Sequence, residues 1–113
     1  MFIKVAKYLI PKGYSGMTVF PFVFVKHSFD KDDLVLINHE KIHLRQQLEL
    51  LILPFFIWYG IEYIFRFFQH KNTYLAYKNI SFEREAYANE MNLRYLDNRK
   101  FFLFLRYLNW YKK

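Results

Sequence analysis

Cysteine is absent from this 113-residue chain. That excludes a disulfide scaffold and a thiolate-ligated structural zinc, and it implies no oxidising compartment. Glycine and proline are scarce, at three each. There is no low-complexity tract, internal repeat or linker long enough to divide domains, so residues 1–113 read as one domain. Acidic residues are few, 10 against 17 Lys and Arg, for a net charge of +7. Such a balance permits association with an anionic surface, lipid or nucleic acid, without specifying either. A membrane-spanning run is missing as well. The uncharged stretch Leu50–Ile61 has 12 residues, whereas a spanning helix needs about 20. It is expected to be a buried core helix, with an interfacial segment that dips its aromatics into a bilayer as the second reading. Lys4 and Lys7 break the N-terminal apolar residues before a signal core can form, so no signal peptide is expected and the default location is the cytoplasm.

What the chain does have is aromatic bulk. Hydrophobic residues make up 54% and aromatics 23%, with 14 Phe and 10 Tyr. That composition excludes disorder and supplies a core for a domain of this size. Charged residues still reach 24% and mean hydropathy is −0.09, which does not describe a bundle of membrane spans.

Pro11, Gly13 and Gly16 bracket a turn after a first element, Phe2–Ile10, whose type stays open. Thr18–Val25 is β-branched and aromatic, of strand length, and Pro21 within it requires an edge strand or a bulge. Asp30, Asp32 and Asp33 precede a helix running from about Asp33 to Leu53, which Pro54 ends or kinks. A second helix covers Phe55–Gln69 and folds back alongside the first. Polar breaks at 70–73 and 79–81 follow. Ser81 is the expected N-cap of a third helix that carries Glu83 and Glu85 in its first turn and reaches about Asp97. Asp97–Asn98 reads as a turn. Arg99–Tyr111 reads as a last basic, aromatic helix laying Phe101, Leu105 and Leu108 on the core, with Lys100, Lys112 and Lys113 in water. The expected fold class is α+β, mostly helical, with one short sheet or edge strand and three to four helices.

Within the first long helix lies His39-Glu40-Lys41-Ile42-His43. Residues i and i+4 sit one above the other on a helix, so both imidazoles can reach one metal ion. Glu40 stands beside the pair without being a ligand, where a general base acting on metal-bound water belongs. Random order yields this pentapeptide in about one such chain per hundred, so a third ligand has to decide its meaning. Helix rise offers one. The chain climbs roughly 15 Å from His43 to Pro54 at about 1.5 Å per residue, and the second helix can return over that distance, bringing Glu83 near the level of the His pair. Glu85, two residues on, faces nearly the other way; Glu90, two turns on along the same face, is the fallback ligand.

This pairing of His39-Glu40-x-x-His43 with Phe82-Glu83-Arg84-Glu85-Ala86 some forty residues later resembles the gluzincin zinc metallopeptidases, in which the third ligand is a Glu on a separate helix. By size the resemblance is greatest to the single-domain minigluzincins, and it covers roughly Val19 to Glu90. It implies a small zincin-like domain, zinc on His39, His43 and Glu83, Glu40 as general base, and substrate paired along the strand Thr18–Val25. The chain departs from the pattern at Lys41 and Arg45, usually uncharged or apolar, and at Tyr87, where the family commonly has an Asp that orients a ligating His. For Tyr87 three roles stand open: accepting an imidazole N–H, pointing at a developing oxyanion, or packing in the core. His27 and His70 read as ordinary surface residues, while Asn38, Gln46 and Gln47 lie near enough to line a cleft.

The expected activity is zinc-dependent hydrolysis of peptide bonds through a zinc-bound water activated by Glu40, on a peptide or protein substrate and not on nucleic acid. Two competing readings are a latent or non-catalytic zinc-binding interaction module and a peripheral membrane protein, the latter resting on the aromatic runs and positive charge.

Overall fold

A computed structural model describes residues 1–108. It shows the expected class: an α+β domain, mostly helical, with one small sheet and five α-helices among the described residues. The strands are β1 (Phe2–Val5), β2 (Gly16–Val19) and β3 (Phe22–Val25), in the order β1-β3-β2. β1 runs parallel to β3 with Phe2 opposite Phe22, and β2 runs antiparallel with Gly16 opposite Val25.

The predicted single strand Thr18–Val25 is thus a hairpin. Its turn holds Phe20 and Pro21, joined by a cis peptide, and a turn is where a residue without an N–H costs no ladder bond. The edge requirement falls on β2, not on the whole run, since β3 is the central strand. Gln47 fastens the hairpin: its Oε1 accepts the Phe20 N–H at 2.7 Å and its Nε2 donates to the Thr18 carbonyl at 2.8 Å. Val23 and Val25 pack inward against Ile37 and Leu44 of the first helix.

A 3-10 turn at Ser28–Asp32 leads into α1 (Leu34–Glu49). Asp33 caps α1, accepting the Leu36 N–H at 3.1 Å. The helix ends four residues before the predicted Leu53. Ile52 N–H bonds the Gln47 carbonyl and Leu51 N–H the Leu48 carbonyl, the paired bonds of a Schellman stop, with Leu51 left-handed at φ 61°. The chain turns 112° into α2 (Leu53–His70), so α2 crosses α1 and does not retrace it. Pro54 begins a helix here and ends none, because the first turn has no use for its N–H.

Lys71 closes α2 in the left-handed region, and Asn72 caps α3 (Thr73–Asn79), a helix the sequence reading left out. α4 (Ser81–Asn89) follows. Ser81 is its first residue and not its cap: both its N–H and its hydroxyl donate to Glu62, each at 2.6 Å. α4 also stops well short of Asp97. The Asn38 amide donates to the Glu90 and Asn92 carbonyls at 2.8 and 3.0 Å, drawing the end of the helix onto α1. Asp97 and Asn98 belong to α5 (Tyr95–Asn98).

The predicted tail helix is replaced by a 3-10 turn at Leu103–Tyr107 entered through a left-handed Phe102. Within Leu103–Tyr107 only Phe104 is buried, joining Phe55, Ile80 and Phe82 with Trp58 at their side. Phe101 is 71% exposed and Leu105 is exposed too, so the Phe101/Leu105/Leu108 stripe does not form. Lys100 is in water; residues 109–113, including Lys112 and Lys113, lie outside the described residues. The core reading of Leu50–Ile61 also fails in part. Phe55 is buried, but Leu51, Leu53, Ile57 and Ile61 face out.

Candidate metal centre

His39 and His43 stand one helical turn apart on the buried face of α1, with their Nε2 atoms 3.2 Å from each other. Glu83, in the first turn of α4, places Oε1 3.2 Å from His39 Nε2 and 3.0 Å from His43 Nε2. Four tetrahedral ligands at about 2.0–2.1 Å from a zinc ion lie about 3.3 Å from one another. The three donor atoms therefore already have the spacing of three corners of such a site. They are the group of described residues able to hold a metal ion.

Proton positions sharpen this. His39 Nδ1 faces Glu90 Oε1 at 2.7 Å, and an ionised carboxylate only accepts. His43 Nδ1 faces Gln46 Oε1 at 2.8 Å, and that oxygen is an acceptor because Gln46 Nε2 donates to Phe82 O and Glu85 Oε1. Both Nδ1 atoms thus carry a proton, and both Nε2 atoms converge with a carboxylate oxygen on one point. So close an approach needs positive charge among the three atoms, which a proton or a metal ion would supply. The same requirement appears in the titration of the groups. Burial alone would lower His43, but the Glu83 carboxylate reverses this and pushes it up to about 9. Burial alone would raise Glu83, but His43 and His39 hold it well below the usual carboxylate range.

Glu40 is buried beside this group without belonging to it. Its Oε1 accepts the Thr18 hydroxyl at 2.6 Å. A Cβ on Gly16 would stand 2.9 Å from its Oε2, so glycine is what lets β2 pass this close to the carboxylate. Burial raises Glu40 above the ordinary carboxylate range, and His43 and His39 offset only part of that. The carboxyl borders two cavities. One of about 340 Å³ is walled by Tyr14, Phe55, Phe56, Tyr59 and Tyr63. The other, about 260 Å³, lies toward Tyr74, Tyr77, Tyr87 and Glu90.

The structure brings His39, Glu40, His43 and Glu83 together as the sequence suggested. Tyr87 packs its ring on His39, with centroids 4.5 Å apart, and its hydroxyl bonds that of Tyr77 at 2.7 Å. The imidazole N–H goes to Glu90, so Glu90 orients a His and is not itself a corner of the triangle. Glu85 is turned away, in a buried ion pair with Arg99. His27 and His70 are not part of the group. Two contributors escaped the sequence reading. Tyr59 donates to Glu83 Oε2 at 2.7 Å, and no local signal marks it. Gln46 reads from sequence only as a cleft residue, although its place one turn after His43 is the signal that marks it. In comparisons with known proteins, the chain matches no family model, no curated protein and no solved structure.

Proposed function

We propose that this protein is a zinc-dependent metallopeptidase, with His39, His43 and Glu83 holding the metal and Glu40 as general base. The observation that carries the proposal is the convergence of two imidazole Nε2 atoms and one carboxylate oxygen on a single point, with a second buried carboxylate at the rim of a cleft. Imidazole and carboxylate without thiolate is the donor set of catalytic zinc more than of structural zinc. Bound there, zinc supplies a Lewis acid that acidifies water and polarises a carbonyl.

The residues divide the remaining work. Glu90 and Gln46 fix the tautomers of the two His, and Tyr59 holds the outer oxygen of Glu83. Glu40, made more basic by burial, takes the proton of the attacking water and passes it to the leaving amine. Thr18 keeps its carboxylate aimed. Substrate would extend along β2, where Gln47 already occupies the Thr18 carbonyl and the stretch nearer Gly16 is left to pair.

Metal analysis together with two variants tests this. The purified protein should carry close to one zinc per chain. Glu40→Gln should keep the metal and the fold yet abolish hydrolysis, whereas Glu83→Gln should lose metal. If the wild type carries none and added zinc leaves its melting temperature unchanged, the proposal fails.

A further inference from the structure

α2 is patterned inside out. Its two charged residues, Glu62 and Arg66, both point into the protein and are buried. Their ion pair spans 3.8 Å, and Arg66 keeps Nε and Nη2 without a hydrogen-bond partner. Meanwhile Leu53, Ile57, Ile61, Ile64 and Phe68, on the opposite side, are exposed, with Leu53 at 68%, Ile61 at 65% and Phe68 at 70%. A helix at a water-facing surface does the reverse. The bare face carries no charge, and from Phe56 to Ile61 it spans about 140° of the helix at about 100° per residue. One partner helix covers a narrower seam than that. Leu51, 78% exposed at the α1–α2 corner, extends the face.

The rest of the surface supplies a complementary charge. Asp30, Glu40, Glu49, Glu62, Glu83 and Glu85 are buried, against only Arg66 and Arg99 of the bases. Among the described residues this leaves thirteen basic and four acidic groups outside the core, a larger positive excess than the composition shows. A broad apolar face on a cationic body matches one occupant, the water–lipid boundary of an anionic bilayer. No single described helix is long and apolar enough to cross a membrane, and the face runs about 22 Å along the axis, at about 1.5 Å per residue, suited to lying flat.

We propose that the outer face of α2, from Leu53 to Phe68, docks this protein on an anionic lipid surface. Phe56 both borders that face and lines the larger cavity, so docking holds the mouth of the cleft at the lipid boundary.

Co-sedimentation of the full chain tests it, using vesicles of phosphatidylcholine alone or with roughly a third phosphatidylglycerol. Wild type should pellet with the anionic vesicles about tenfold more than with the neutral ones, less so at high salt. The exposed double substitution Ile61→Ser/Phe68→Ser should reduce pelleting by about tenfold or more at an unchanged melting temperature. If that variant does not fold, Ile64→Ser takes its place. The proposal is overturned if wild type stays in the supernatant, if it pellets equally with both vesicles, or if the folded variant pellets like wild type. It is equally overturned if the lipid-free chain is a dimer that the same substitution dissociates, since a second copy would then cover the face.

Discussion

His43 concentrates the electrostatics of the site in one side chain. Without metal, a proton meets the demand for positive charge between the two imidazoles and Glu83, so His43 rises from its ordinary 6.5 to about 9. A raised group contributes stability in full below its unfolded value and loses it as pH climbs through the folded one. Glu83 is held below its ordinary 4.5 and contributes in the opposite sense, losing its share on acidification. For this pair, the metal-free protein is at its best between about 4.5 and 6.5. Zinc competes with the His43 proton for the same lone pair, so its stabilising effect should grow as that proton becomes easier to remove. The gap in Tm between zinc-loaded and chelated protein should widen from about pH 6 to pH 9 in calorimetric scans. A gap that narrows over this range would mean that zinc does not bind at His43.

Among the elements, the α1–α2 corner holds the most backbone strain. Leu51 and Ile52 both have positive φ, at 61° and 63°, and for Leu51 the left-handed conformation costs a non-glycine residue roughly 1–2 kcal/mol. Leu51 sits where a Schellman stop normally places glycine, and its side chain is exposed, so replacing it loses almost no packing. Leu51→Gly should stabilise the protein by about 0.5–1 kcal/mol, the relief of strain less the added freedom of the unfolded chain. A raised urea midpoint at constant m-value would show it; a lowered midpoint would mean that Leu51 makes contacts which matter. This corner also shows where sequence reasoning stopped. Pro54 marks a break in the sequence but not on which side of it the proline falls, because proline is compatible with both sides of a boundary and no glycine stands at the true stop. The hairpin was missed for a related reason. Phe20-Pro21 carries no turn-forming glycine or asparagine, and its closure depends on Gln47, 27 positions away from Phe20.

At the level of the whole molecule, Arg99 joins the tail to the site. Its guanidinium, fully buried, pairs with Glu49 of α1 and with Glu85 of α4, with Nη2 3.1 Å from an oxygen of each. Glu85 also accepts from Gln46, which orients His43, so one chain of polar contacts runs from residue 99 to His43. Arg99→Ala would strand two buried carboxylates and should cost about 3–5 kcal/mol in urea unfolding, with zinc affinity falling alongside. A loss under 1 kcal/mol would show that the pair is dispensable. The sequence by itself determined what depends on near neighbours: that His39, Glu40 and His43 share one side of a helix, that the acidic residues Asp30, Asp32 and Asp33 lead into it, and that Glu83 opens a later helix. Helical periodicity and capping are set within a turn or two, so they are legible in the linear chain. Tertiary structure alone decided that Glu90 and not Tyr87 orients His39, that Ser81 serves Glu62 and not its own helix, and that α2 buries its charges and bares its isoleucines. Each of those outcomes rests on which distant side chain arrives opposite, a choice made by packing among residues many positions apart and invisible to local preference.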